Sequence, residues 1–161
     1  MRKLLKLLHE VGAVGVVGSF AACLILVAHA PAPSRSLVAY AAVRQDIASI
    51  TRWLLVPSLA LVLISGLLAI AAHDGYKNAA WAWMKALLGI SMFEGTLLTV
   101  GAGARRAAEL SALAVSGRVD GAQLAQILHG EWGGLWLLLG LSIVNIILAV
   151  WRPRLYRRQT A

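Results

Sequence analysis

Charge is scarce in this chain: 14% of its 161 residues are Asp, Glu, Lys or Arg, against roughly a quarter in a soluble domain. Together with 60% hydrophobic residues and a mean hydropathy of +0.76, that scarcity excludes an ordinary soluble domain and a disordered one alike. Cysteine is nearly absent. With Cys23 alone, no intrachain disulfide and no CxxC metal or redox motif can form. HxxxH and HExxH pairs, GxSxG and a Gly-rich phosphate loop are also missing, and the three methionines, Met1, Met84 and Met92, make no copper-binding run. What is present is long apolar runs, which identify a polytopic membrane protein.

Acidic residues are few, 7 against 15 Lys plus Arg, giving a net charge of +8. In a soluble protein that balance would suggest nucleic acid. Here the basic residues cluster at the ends of apolar runs, where they anchor helices at anionic headgroups, and no RNP-type or zinc-finger pattern occurs, so nucleic acid is set aside. A transmembrane helix needs about 20 apolar residues. Four segments qualify, at about 4–28, 53–72, 80–104 and 132–151, and predict an all-α integral membrane four-helix bundle. The first could be read as a signal peptide ending at Ala28-His29-Ala30, but its apolar stretch is long and Pro31 would follow the cut, so it is expected to be retained. Four spans put both termini on one side. That side carries Arg2, Lys3, Lys6, Lys77, Arg152, Arg154, Arg157 and Arg158, against Arg35, Arg44, Arg52, Arg105, Arg106 and Arg118 on the other. The excess of eight over six orients both termini to the cytoplasm of a bacterial inner membrane.

The two loops opposite the termini are long enough to be structured. Residues 37–51 lack Gly and Pro and read as helix running on into the second span, which Pro57 would bend. Residues 105–116 read as a continuation of the third span, with Arg105 and Glu109 one turn apart. Asp120 is placed to cap a further short helix ending at His129 and Gly130. The expected shape is a bundle with helical extensions on one side.

Polar residues within the spans mark candidate sites. Lys85 stands inside the third span, where a cation costs about 3 kcal/mol at the bilayer centre, although a lysine snorkelling beside Trp81 and Trp83 is the plainer account. His9 sits at a matching depth in the first span, and His73 returns to the same side. A neutral imidazole ligates a haem iron well, and an amine does so once deprotonated. Gly12, Gly15 and Gly18 give the first span a small-residue face, suited to close helix packing or to a flat macrocycle. Glu94, near the middle of the third span, faces away from Lys85, so it needs another partner, with Asn145 a plausible donor, or it carries a proton. His29, His129 and Glu131 are placed to gather near Arg52 and Arg105 at the opposite end.

The run Leu4-Leu-Lys-Leu-Leu-His9 with its small-residue helix, then Arg52-Trp-Leu-Leu-Val-Pro57 and Ile64-Ser-Gly66-Leu, and then Trp83-Met-Lys85-Ala-Leu-Leu, resembles the HemJ-type protoporphyrinogen oxidases and the wider CopD-like membrane proteins over about residues 4 to 95. The resemblance implies a b-type haem or porphyrin held by His9 as iron ligand, with Lys85 as second ligand or propionate anchor; shared depth and the small-residue face add His73, Gly12 and Gly15 as candidates beside it. It also implies electron transfer or dehydrogenation passing electrons to quinone, with Lys85 as a catalytic candidate; Glu94, in a stretch where the sequence departs from that family's pattern, is a second candidate from its mid-span position alone. The alternative is a non-catalytic subunit or assembly factor, a homo-oligomer or part of a larger membrane complex. The CopD-like similarity alone suggests copper transport.

Overall fold

The computed structural model of the chain describes residues 2–151, and the side chains of all of these except residues 2, 121–123 and 125–132. Four long helices account for nearly all of it: α1 (Arg2–His29), α2 (Leu37–Ala71), α4 (Ala80–Val115) and α5 (Gly121–Trp151), with the single turn α3 (Asp74–Lys77) joining α2 to α4. No strand occurs among the described residues. The chain is a membrane protein: four helices are long and apolar enough to cross a bilayer, over Lys3–His29, Leu37–Ala71, Ala80–Val115 and Gly133–Trp151. Their outer surface is correspondingly oily. Val14, Leu98, Trp53 and Val150 are each more than 70% exposed. In water such a surface would aggregate, whereas lipid solvates it.

The helices form a ring. α1 packs against α2 and α5, and α4 packs against the same two, so α1 and α4 face each other diagonally across the bundle. The tightest of these pairings joins α1 to α2, because a Cβ on Gly12 would lie 2.8 Å from Val62 Cγ2 and 3.0 Å from the Ser58 carbonyl oxygen. The core is apolar, built from Val16, Phe20, Cys23 and Leu24 of α1, Leu55 and Leu59 of α2, Met92 of α4, and Leu135 and Leu138 of α5.

α2 and α4 are 35 and 36 residues long, about 50 Å each by helical rise, and so extend some 20 Å beyond a hydrocarbon layer. The extensions on one side are as the sequence leads one to expect, and there the two helices pair with each other. Ser36 caps the start of α2 by accepting from the Ala39 amide, and Gly117 ends α4 at φ 73°, where the Arg118 amide returns to the Leu113 carbonyl. Small side chains of α4, Ala107, Ala108, Ser111 and Ala114, are buried in this extension, as are Tyr40 and Arg44 of α2, the Arg44 guanidinium lying 4.8 Å from the Tyr40 ring centroid.

Both long helices widen into a π turn, at Thr51–Leu55 in α2 and Thr96–Gly101 in α4, and the two turns pack together. In α2 the cause is legible. Pro57 has no N–H to give and its ring crowds the preceding turn, and the wider turn just before it, closed by the Val56 amide on the Thr51 carbonyl, absorbs the defect.

Two expectations fail in this region. The short helix ending at Gly130 does not exist as a separate element, because α5 runs unbroken from Gly121 to Trp151. A helical glycine costs only about 1 kcal/mol, which the burial of Leu124 against Tyr40 and Ala114 helps offset. Arg105 does not pair with Glu109; its Nε donates backward to the Gly101 carbonyl at 3.2 Å. Of the basic residues used for orientation, Arg152, Arg154, Arg157 and Arg158 lie outside the described residues.

Candidate functional site

Core-facing positions of α1 recur as His9, Gly12, Val16, Ser19 or Phe20, Cys23 and Val27, the 3-4 spacing of one helical face. On α4 the same rule picks out Ala82, Lys85, Gly89, Met92 and Thr96. His9 and Lys85 therefore occupy interior positions near the terminal-side ends of two helices that face each other. Their depths also agree. His9 contacts α2 at Val62 and Ser65, while Gly89 meets Leu63 of the same helix. Lys85 lies one turn, about 6 Å, closer to the terminal side than Gly89, which sets it level with the turn of α2 after Gly66.

The imidazole is held by α2. Its Nδ1 is 3.0 Å from the Val62 carbonyl oxygen and 3.1 Å from Ser65 Oγ, and the Ser65 hydroxyl donates its own proton to the Leu61 carbonyl at 2.6 Å. A carbonyl oxygen only accepts, so Nδ1 carries the proton and is shared between the two oxygens. In the neutral ring, Nε2 is left as the basic nitrogen, with no hydrogen bond from any described residue. Gly66 borders this seat, where a Cβ would stand in ordinary contact, 3.4 Å from the His9 Cε1. Ser65, 2% exposed, and Gly66 are members of the site that reading residue by residue overlooked. The signal was a lone hydroxyl followed by glycine in an otherwise apolar run.

The other candidates fall elsewhere. Gly12 and Gly15 turn toward α2, and the space above them is filled by Ser58 and Val62, so they serve helix packing and leave no room for a macrocycle on that face. Gly18 has open space around it. His73 belongs to the α3 turn, where its ring lies 5.2 Å from that of Tyr76, which in turn meets Trp81 edge-on at 5.6 Å; it makes no contact with His9. Next to it, Lys77 Nζ donates to Asp74 at 2.8 Å, a bond that holds the Asp74 carboxyl below the usual carboxylate range. Glu10 pairs with Lys6 at 3.6 Å on the surface.

Glu94 is exposed on the outward face of α4, so it takes no part in the His9–Lys85 site. Asn145 does not reach it, for a reason of register. The neighbouring Gly95 packs on Leu138 of α5, and Asn145 lies seven residues further along that antiparallel helix, about 10 Å away in depth. A carboxylate facing lipid at this level costs about 3 kcal/mol unless something meets it.

At the far end, His29 Nδ1 bonds to its own helix at the Ile25 carbonyl, 2.9 Å, and the Arg52 guanidinium lies 5.1 Å from the Trp53 ring centroid. Neither joins Arg105; the His129 and Glu131 side chains lie outside the described residues. Among the described residues no group of three or more His, Cys, Asp or Glu side chains converges on a point where a metal could sit. No family model, no curated protein and no solved structure matches the chain.

Proposed function

We propose that the chain is a bacterial inner-membrane protein that binds a b-type haem or porphyrin at the terminal-side end of its bundle, as the resemblance to the HemJ-type and CopD-like proteins implies. The observation that carries this reading is the His9 tautomer. A ligating histidine is typically fixed by a hydrogen bond from its other ring nitrogen to a carbonyl or carboxylate, which raises its basicity and sets its plane. His9 has that arrangement through the Val62 carbonyl and Ser65. That seat would let His9 hold a haem iron, whereas the filled face at Gly12 and Gly15 leaves no room for a macrocycle laid along α1. His9 would hold the iron through Nε2, and the Lys85 ammonium would face an acidic propionate from the opposite helix. When bound, the group would supply one-electron chemistry, suited to a hydrophobic donor and a quinone acceptor. The protein's part is to fix the imidazole, place a cation and exclude water.

The absorption spectrum of the detergent-purified protein, with and without added haem, tests this. The expected result is a Soret band that His9→Ala abolishes and Ser65→Ala weakens. A colourless protein that does not take up haem, or a band indifferent to His9→Ala, would overturn it. The reading then left is a non-catalytic membrane subunit, which the packed glycine face favours because His9 would serve there as a clasp between α1 and α2.

A further inference from the structure

At 100° per residue, Trp83, Leu87, Ile90, Glu94 and Leu97 form one stripe on α4, opposite the interior set Ala82, Lys85, Met92 and Thr96. All five are exposed, and exposed Ser91 borders the stripe one turn before Glu94. Glu94 lies fourteen residues, about 21 Å, from the start of α4 at Ala80, well inside the hydrocarbon. No hydrogen bond or ion pair reaches it from the described residues. The outward residues of the other spans at comparable depth are apolar, among them Val11 and Val14 of α1, Pro57 of α2 and Trp136 and Leu137 of α5. No described residue therefore supplies Glu94 with a polar partner, and its outward face leaves it open to one from a neighbouring polypeptide.

We propose that this stripe is a self-association surface, on which a second copy of the chain docks α4 against α4 about a twofold axis along the membrane normal. The chemistry of the pair selects a second copy. A twofold along the normal brings identical residues to identical depth, so Glu94 of one chain meets Glu94 and Ser91 of the other. The Ser91 hydroxyl of each chain can donate to a Glu94 carboxyl oxygen of the other, so the Ser91 and Glu94 pair complements itself across the twofold. Leu87, Ile90 and Leu97 flank the polar pair and supply the packing that drives helix association in lipid. The interface lies on the opposite side of α4 from Lys85, and is therefore independent of whether His9 holds a haem.

Chain mass in lipid nanodiscs and cysteine cross-linking in membranes test the proposal. The unaltered chain is expected as a dimer, Glu94→Gln likewise, because an amide still donates and accepts, and Glu94→Leu at half the mass with an unchanged thermal midpoint. Ser91→Cys should give a disulfide-linked dimer on mild oxidation, whereas Leu137→Cys on the outer face of α5 should not. A monomeric unaltered chain, a Glu94→Leu variant that stays dimeric, or equal cross-linking at both positions would overturn the proposal. The first result would hand the face to a different membrane protein.

Discussion

The two residues on which the proposed site rests, His9 and Lys85, were legible because a bilayer limits where a polar side chain can go. Counting residues from the ends of two spans placed both at one depth, and helical periodicity placed both on interior faces. Their environment was not legible, because Val62 and Ser65 act through a carbonyl oxygen and a hydroxyl, neither of which leaves a charge to notice. Glu94 misled for the converse reason: its mid-span position was plain, but its partner depended on the register of α4 against α5, which Gly95 and Leu138 set. Two lysines give a clean contrast. Lys85→Ala should weaken haem retention about tenfold, the loss of one charge-assisted contact worth about 1.5 kcal/mol. Lys77→Ala, which removes only an exposed pair with Asp74, should leave haem retention and thermal stability unchanged in the same titration. Equal tolerance of the two would reduce Lys85 to a lysine reaching for headgroups.

At the scale of the helix, glycines and hydroxyls divide by what faces them. Gly12→Ala must push α2 away from α1, since both a backbone oxygen and a side chain stand within 3.0 Å of the new methyl, and a loss of about 1–3 kcal/mol is expected in detergent. Gly18→Ala meets nothing and should gain about 0.5–1 kcal/mol from helix propensity; thermal melts of the two variants check both signs. Ser19, Ser65, Thr99, Ser111 and Ser142 all return their hydroxyl protons to the carbonyl four residues back. Thr51 and Thr96, each opening a π turn and each at most 2% exposed, do not, and their Oγ1 atoms have no hydrogen-bond partner among the described residues. Replacing either by the isosteric Val should therefore raise stability by about 1 kcal/mol or more, measured by melting under identical detergent conditions. The π turn in α2 could be anticipated from Pro57, but nothing in Thr96–Gly101 announces the matching one in α4.

Across the whole molecule, the all-α bundle and its one-sided extensions followed from composition, run length and the lack of breakers between residues 37 and 51. The ring order of the helices did not, because the outer faces of all four spans are equally apolar and periodicity does not say which neighbour a face prefers. That order decides the functional reading, since it sets α1 and α4 diagonally and brings His9 and Lys85 toward each other across the axis. The direct measurement is thiol cross-linking in native membranes with a short bifunctional reagent. His9→Cys combined with Lys85→Cys should cross-link within one chain, and His9→Cys combined with Leu87→Cys, two residues on and facing lipid, should not. Failure of the first pair, or equal yield from both, would contradict a shared site between the opening helix and α4.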